Sequence, residues 1–182
     1  MHIPTHILSG WCAANCLPLT PRQRLCAMAA ATIADLDGLG FFISREAYWN
    51  YHHKLGHNLS FAILSSFLLM FFSASKTISR LELFLFYFLL FHLHLILDYF
   101  GSGPGWHIHY FWPFATLLIK SPHPWEFFSW QNILAFLVLL GWTVLIARSK
   151  KRTPFELIAP SVEARFFPIT NNKEPITNSN VP

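Results

Sequence analysis

The run at residues 81–100, LELFLFYFLLFHLHLILDYF, constrains this chain more than any other feature. A helix that crosses a bilayer needs about 20 consecutive, mostly apolar residues, and this run supplies them. Two further apolar runs lie at 59–74 and 132–147, the latter with Trp130 and Trp142 as interface residues. Both are short for a full span, so they thin the bilayer or extend at their ends. Charged residues make up only 12% of the chain, against about 25% in an ordinary soluble domain. A water-soluble fold of this size could not hide its 19 phenylalanines; lipid-facing side chains need no protein cover.

The first 34 residues are less regular. Residues 7–17 and 25–34 read as two short apolar helices, separated by Pro18-Leu19-Thr20-Pro21-Arg22-Gln23-Arg24. The two prolines forbid one continuous helix through this turn. From Thr153 onward the chain changes character, and Pro, Asn, Thr and Ser dominate its last fifteen residues. That composition predicts a largely disordered tail at 153–182, with the more apolar 155–167 on the membrane surface. The expected fold is therefore all-α: an integral membrane bundle of about five helices, two of them short, at 1–152, followed by that tail. No internal repeat is present. The N-terminus lacks the basic segment of a signal peptide, so insertion is expected to use the helices themselves. Cys12, Cys16 and Cys26 are odd in number and sit in apolar surroundings. They read as small buried hydrophobes rather than a disulfide framework.

Charge placement predicts an orientation. Arg22 and Arg24, then Lys76 and Arg80, then Arg148, Lys150, Lys151 and Arg152 fall on alternate connections. The positive-inside rule puts those connections and the C-terminal tail in the cytoplasm. The opposite connections, 35–58 and 101–129, are close to neutral.

The unusual residues all fall toward that second side. His6 opens the first helix. Asp35 and Asp37 close the second, with Gly38 and Gly40 as helix stops. His52, His53 and His57 precede the third, where Asn58 suits an N-cap. His94 and Asp98 sit in the last turns of the fourth. Segments distant in sequence thus bring His and Asp to one layer. Ionisable groups within a span are costly and are commonly functional. His94 and Asp98 are four apart and share a helix face. An Asp at a helix C-terminus opposes the dipole and calls for a nearby positive charge, and no Lys or Arg is close in sequence. Asp35 and Asp37 allow one carboxylate to take a metal while the other orients a ligand. His92 points away from His94 on its helix, and His107, His109 and His123 read as interfacial polar residues.

Nitrogen and oxygen donors without a thiolate set suit a divalent metal, zinc first, with manganese or iron as alternatives. The expected metal shell is His6, Asp35, Asp37, His52, His53, His57, His94 and Asp98, with Asp35, Asp37 and Asp98 as the catalytic carboxylates. Such mixed shells are common in hydrolytic sites, where a metal activates water. No nucleophilic Ser or Cys has a clear partner, and no Gly-rich phosphate loop follows a strand. Basic residues cluster only at 148–152, so nucleic acid is not an expected partner. The expectation is a membrane-bound metal-dependent hydrolase at the non-cytoplasmic face. Its partners would be membrane lipids and a small-molecule or lipid-headgroup phosphate ester. One rival is a non-catalytic protein whose metal is structural, or whose His/Asp cluster only ties helices by hydrogen bonds. A second rival, an ion-binding or transport protein, needs a polar path. Few polar residues besides Glu82, Ser65 and Ser66 mark the cytoplasmic halves of the later helices.

Four pieces in order carry a family resemblance. Thr5-His6 followed by Gly10, Ala34-Asp35-Leu36-Asp37, His52 to Asn58, and His94-Leu95-Ile96-Leu97-Asp98 with Phe111-Trp112-Pro113-Phe114 cover about residues 5–115. Together they resemble the bacterial membrane-bound metal-dependent hydrolases, some described as LexA-regulated inner-membrane proteins. The chain departs from that pattern at Ala34 (a proline in the motif), His53 (arginine), Gly56 (threonine) and Asn58 (serine). Its spacing matches His52 and His57 better than His53 and His57. That family is distantly akin to zinc-dependent phospholipase C and P1-type nuclease, helical enzymes with zinc held by His and Asp. The resemblance implies phosphoester hydrolysis at a bacterial inner membrane, as fold-level analogy.

Overall fold

The computed structural model describes residues 1–75, 78–156 and 158–167. Lys76 of the expected basic connection and the tail at 168–182 lie outside the described residues. The fold is all-α. Among the described residues, seven α-helices run in the order α1 Ile3–Ala14, α2 Pro21–Ala30, α3 Arg45–Tyr51, α4 Leu59–Ser73, α5 Arg80–Gly101, α6 Trp130–Lys150 and α7 Pro160–Phe166. A 3-10 helix, Ile33–Phe42, stands between α2 and α3. Among the described residues the sole strand-like pairing is an isolated bridge between Ile108 and Ile119, in the long connection from α5 to α6.

Local chemistry fixes most of the helix starts. Thr20 and Gln23 form a reciprocal capping box at α2, with Pro21 in its first turn, and Ser79 and Glu82 do the same at α5. Each box satisfies two otherwise orphaned N–H groups. Asn58 caps α4, its side chain accepting from the Phe61 N–H at 2.9 Å. Ser129 caps α6.

Helices α5 and α6 are long and apolar enough to cross a membrane. The α2 and 3-10 pair would count as a third, broken span with a 58° bend. Helix α4 is apolar but shorter. Helix α1 packs closely on α2 at Gly10, where an added Cβ would lie 2.7 Å from the Ala27 carbonyl oxygen. Small residues let backbones approach in this way where lipid gives no hydrophobic drive. The apolar core between α1, α2, α4 and α5 is built from residues such as Ala14, Ala27, Met70, Leu83 and Tyr87. Helix α6 leans on α1. The buried share of its apolar stretch is 17%, against 39% in α5, so most of α6 faces outward. Phe67 and Phe71 on α4, Leu89 and Ile96 on α5, and Leu137 on α6 are likewise exposed, as lipid-facing groups would be.

Three differences from the sequence reading stand out. Gly38 and Gly40 do not stop the second helix; α2 ends at Ala30, and both glycines lie within the 3-10 helix. A short helix, α3, occupies part of the connection expected to be a loop. Cys16 is exposed, while Cys12 and Cys26 are buried thiols as expected. Beyond α6, residues 155–167 hold α7, and Glu156 reaches back to Arg24 with oxygen–nitrogen distances of 2.6 and 2.7 Å.

Candidate metal centre

Four elements deliver the cluster. Helix α1 brings His6, the 3-10 helix brings Asp35 and Asp37, the segment before α4 brings His52, His53 and His57, and α5 brings His94 and Asp98. Gly56 makes the meeting of two of them feasible. A Cβ there would lie 2.0 Å from the Ala34 carbonyl oxygen, so no other residue lets the histidine segment lie this close to the 3-10 helix.

His6, His57 and His94 are wholly buried, and Asp98 nearly so. His94 Nδ1 lies 2.9 Å from the Ala31 carbonyl oxygen. A carbonyl only accepts, so Nδ1 carries a proton and Nε2 is the nitrogen left to face the cluster. That Nε2 faces Asp98 Oδ2 at 3.1 Å, His57 Nε2 at 3.1 Å and Asp35 Oδ1 at 3.7 Å. His57 is fixed the same way: its Nδ1 lies 3.0 Å from Asp37 Oδ2. Its Nε2 then faces Asp98 Oδ2 at 3.2 Å and Asp35 Oδ1 at 3.8 Å. Ring nitrogens and carboxylate oxygens thus converge on one point. Four donors about 2.0–2.1 Å from a tetrahedral ion stand about 3.3 Å from one another. The donor set of Asp35, His57, His94 and Asp98 is close to that spacing.

The electrostatics state the same demand. Burial works against a charge on His57, but its hydrogen bonds to Asp37 and Asp98 outweigh this and raise its pKa to about 9. In the absence of an ion, a proton takes the place of the positive charge the carboxylates require. His53 goes the other way. Burial, and then the neighbouring His57, push it well below the ordinary imidazole range, so it stays neutral.

The remaining residues of the expected shell surround these four. Asp37 stands behind His57, bonded also to His52 Nδ1 at 2.7 Å and accepting from the Gly56 N–H at 2.8 Å. It orients two histidines rather than facing the central point. Asp37, His52 and His57 form a second group with metal-ligand spacing. His53 stacks on His57 at 4.2 Å and places Nε2 3.8 Å from Asp98 Oδ2. It adopts a positive φ of 63°, uncommon for a residue with a side chain. His6 Nε2 lies 3.1 Å from the other Asp98 oxygen, which the Met1 amino group also contacts. His92 points elsewhere, to the Tyr110 hydroxyl at 2.8 Å.

A cavity of about 60 Å³ lies against the cluster, with Asp35, His53, Asp98, Tyr48 and Trp106 in its wall. That is room for about two waters at about 30 Å³ each. Asp35 Oδ2 and the Nδ1 atoms of His6 and His53 are buried without a hydrogen-bond partner. Tyr48 and Trp106, beside His52 at 4.9 and 5.0 Å, are site residues that sequence spacing did not single out. The Ala31 carbonyl is another. It is a backbone group with no side-chain signature, orphaned because α2 ends there.

No curated protein and no solved structure matches the chain. The family model described as YdjM inner membrane protein matches residues 1–168. With its apolar helices, the match supports a bacterial inner-membrane location, and the chain belongs to the YdjM inner membrane protein family.

Proposed function

We propose that the cluster holds a divalent metal, zinc before manganese or iron, and that the protein is a membrane-bound, metal-dependent hydrolase of phosphate esters. The observation that carries this reading is the convergence of ring nitrogens and carboxylate oxygens from His57, His94, Asp98 and Asp35 beside a polar cavity. A divalent ion there would take over the positive charge that the Met1 amino group and a proton on His57 otherwise supply. A divalent ion bound there supplies Lewis acidity toward a phosphoryl oxygen and makes water more acidic.

The chain's own groups have distinct parts. His57, His94 and Asp98 are the three close donors. The Ala31 carbonyl and Asp37 hold the two imidazoles in the required tautomer and orientation, as outer partners of metal-binding histidines commonly do. His6 orients Asp98 through its other oxygen. Asp35 stands slightly farther out, lines the cavity and keeps one oxygen unpartnered. This suits a proton acceptor at the cavity edge. His53, neutral and in the cavity wall, is suited to receive or return a proton. The site is read as facing the non-cytoplasmic side, from the alternation of basic connections.

A second reading is a structural ion bound by all four residues with no open position, which the near-tetrahedral spacing favours. Asp35→Asn separates the two. The hydrolase reading expects metal content to be kept while metal-dependent hydrolysis of bis(p-nitrophenyl) phosphate and of detergent-solubilised phospholipid falls by about 100-fold or more. Loss of the ion in Asp35→Asn, or a metal-loaded wild type inert on both substrates, would reject the hydrolase.

A further inference from the structure

A groove of about 600 Å³ runs along the outside of α1, α5 and α6. It exists because α6 packs on α1 and leaves a gap beside α5. Leu93 and Leu97 of α5 form one wall, Leu134 and Val138 of α6 the other, and Cys12 of α1 the floor. Trp125 and Trp130 stand at one end and Trp142 toward the other. We infer that this groove binds one acyl chain of a phospholipid whose headgroup lies at the His/Asp end of the bundle.

Three observations select that occupant. First, depth: Trp130 to Trp142 spans about 18 Å of helix at 1.5 Å per residue, close to the roughly 15 Å of one leaflet's hydrocarbon layer. Second, the walls come from the two helices long enough to cross a membrane, so the groove opens to acyl chains rather than to water. Third, one end of the groove sits level with the cluster. Gln131 lines it there beside Trp130, and indoles favour the headgroup boundary. Leu97 in the wall adjoins Asp98 in sequence, and Ser9, also lining the groove, donates to the His6 carbonyl at 2.8 Å. A chain seated in the groove brings its own phosphate to the level of the cluster. That this lipid is also the substrate rests on the hydrolase reading; the binding does not.

The test uses the full-length protein in mild detergent, offered palmitoyl-oleoyl phosphatidylglycerol. Bound lipid is counted by native mass spectrometry, and metal content is measured on the same samples. The wild type is expected to retain one lipid per chain. Ala135→Trp, which fills the groove away from the cluster, should lower occupancy about tenfold or more with metal unchanged. Leu137→Trp, on the same helix but on its outward face, should keep the lipid. If Ala135→Trp loses metal as well and is misfolded, Val138→Phe replaces it in the same comparison. A wild type without stoichiometric lipid, or groove-filled variants that hold as much as Leu137→Trp, overturns the inference. Lipid retained by a metal-free wild type and lost on filling the groove upholds it, while removing the hydrolase reading.

Discussion

The two ends of this bundle both bury polar groups, and they handle them in opposite ways. At the end away from the cluster, charged and amide donors mostly meet acceptors, although Asn15 Oδ1 and Arg152 Nε are buried without partners. Arg24 is nearly inaccessible, yet it has both Glu156 oxygens and the Leu19 carbonyl. Gln23 donates to the Ser73 carbonyl and to Ser75, while its own carbonyl accepts from Tyr87. At the other end, ring nitrogens and carboxylate oxygens from four elements crowd one point. His57 and His94 present ring nitrogens to each other and to Asp98, and Asp35, His6 and His53 keep buried atoms without partners. A chain able to satisfy buried polar groups leaves this cluster with unpartnered atoms and with the Met1 amino group on Asp98 as its one fixed cation. The contrast sets the first end apart as helix-tying structure and agrees with the cation proposed for the second.

The comparison can be strained from either side. The largest effect on folding is expected from Arg24→Met, which leaves Glu156 facing a buried position without its cation. Breaking one half of a buried pair costs about 3–5 kcal/mol, read as a large drop in resistance to denaturant in detergent, while metal content of the folded fraction stays the same. A metal loss there would mean that the two ends are not independent. Next is Asp37→Asn. It keeps the shape but weakens the hold on His57 and His52, and such outer partners are worth about 10–100-fold in metal affinity. A titration that found affinity unchanged would remove Asp37 from the orienting role. The smallest is Tyr87→Phe, which deletes the hydroxyl that pairs with Ser73 at 2.7 Å. A loss of about 1 kcal/mol is expected, with no effect on metal; a much larger loss would show that the network acts as a unit.

The helices that span were legible because one signal fixes them. The apolar run at 81–100 becomes α5 with one extra residue at each end, and 132–147 lengthens at both ends into α6. Convergence of His and Asp was legible from topology: ends of helices that alternate in direction share a layer. The finer arrangement was not. Asp35-Leu36-Asp37-Gly38 reads as a fading helix end, and nothing local announces a 3-10 helix that aims Asp35 at one nitrogen of His57 and Asp37 at the other. Nor does spacing reveal which of His52 and His53 turns inward. The left-handed backbone at His53 and the stack of Trp49 on Trp106 at 4.7 Å belong to tertiary packing around the cavity. The closeness required of Gly56 is likewise visible only once Ala34 lies against it.

The central claim is that the His/Asp end holds a cation while the Arg24 end does not need one. Elemental mass spectrometry of detergent-purified wild type beside His94→Ala/Asp98→Ala tests it most directly. The account predicts stoichiometric zinc, manganese or iron in the wild type and its disappearance in the double variant, with the helical content of both unchanged. A wild type that is metal-free and stays so when offered each ion would contradict it, and the cluster would then be a second helix tie.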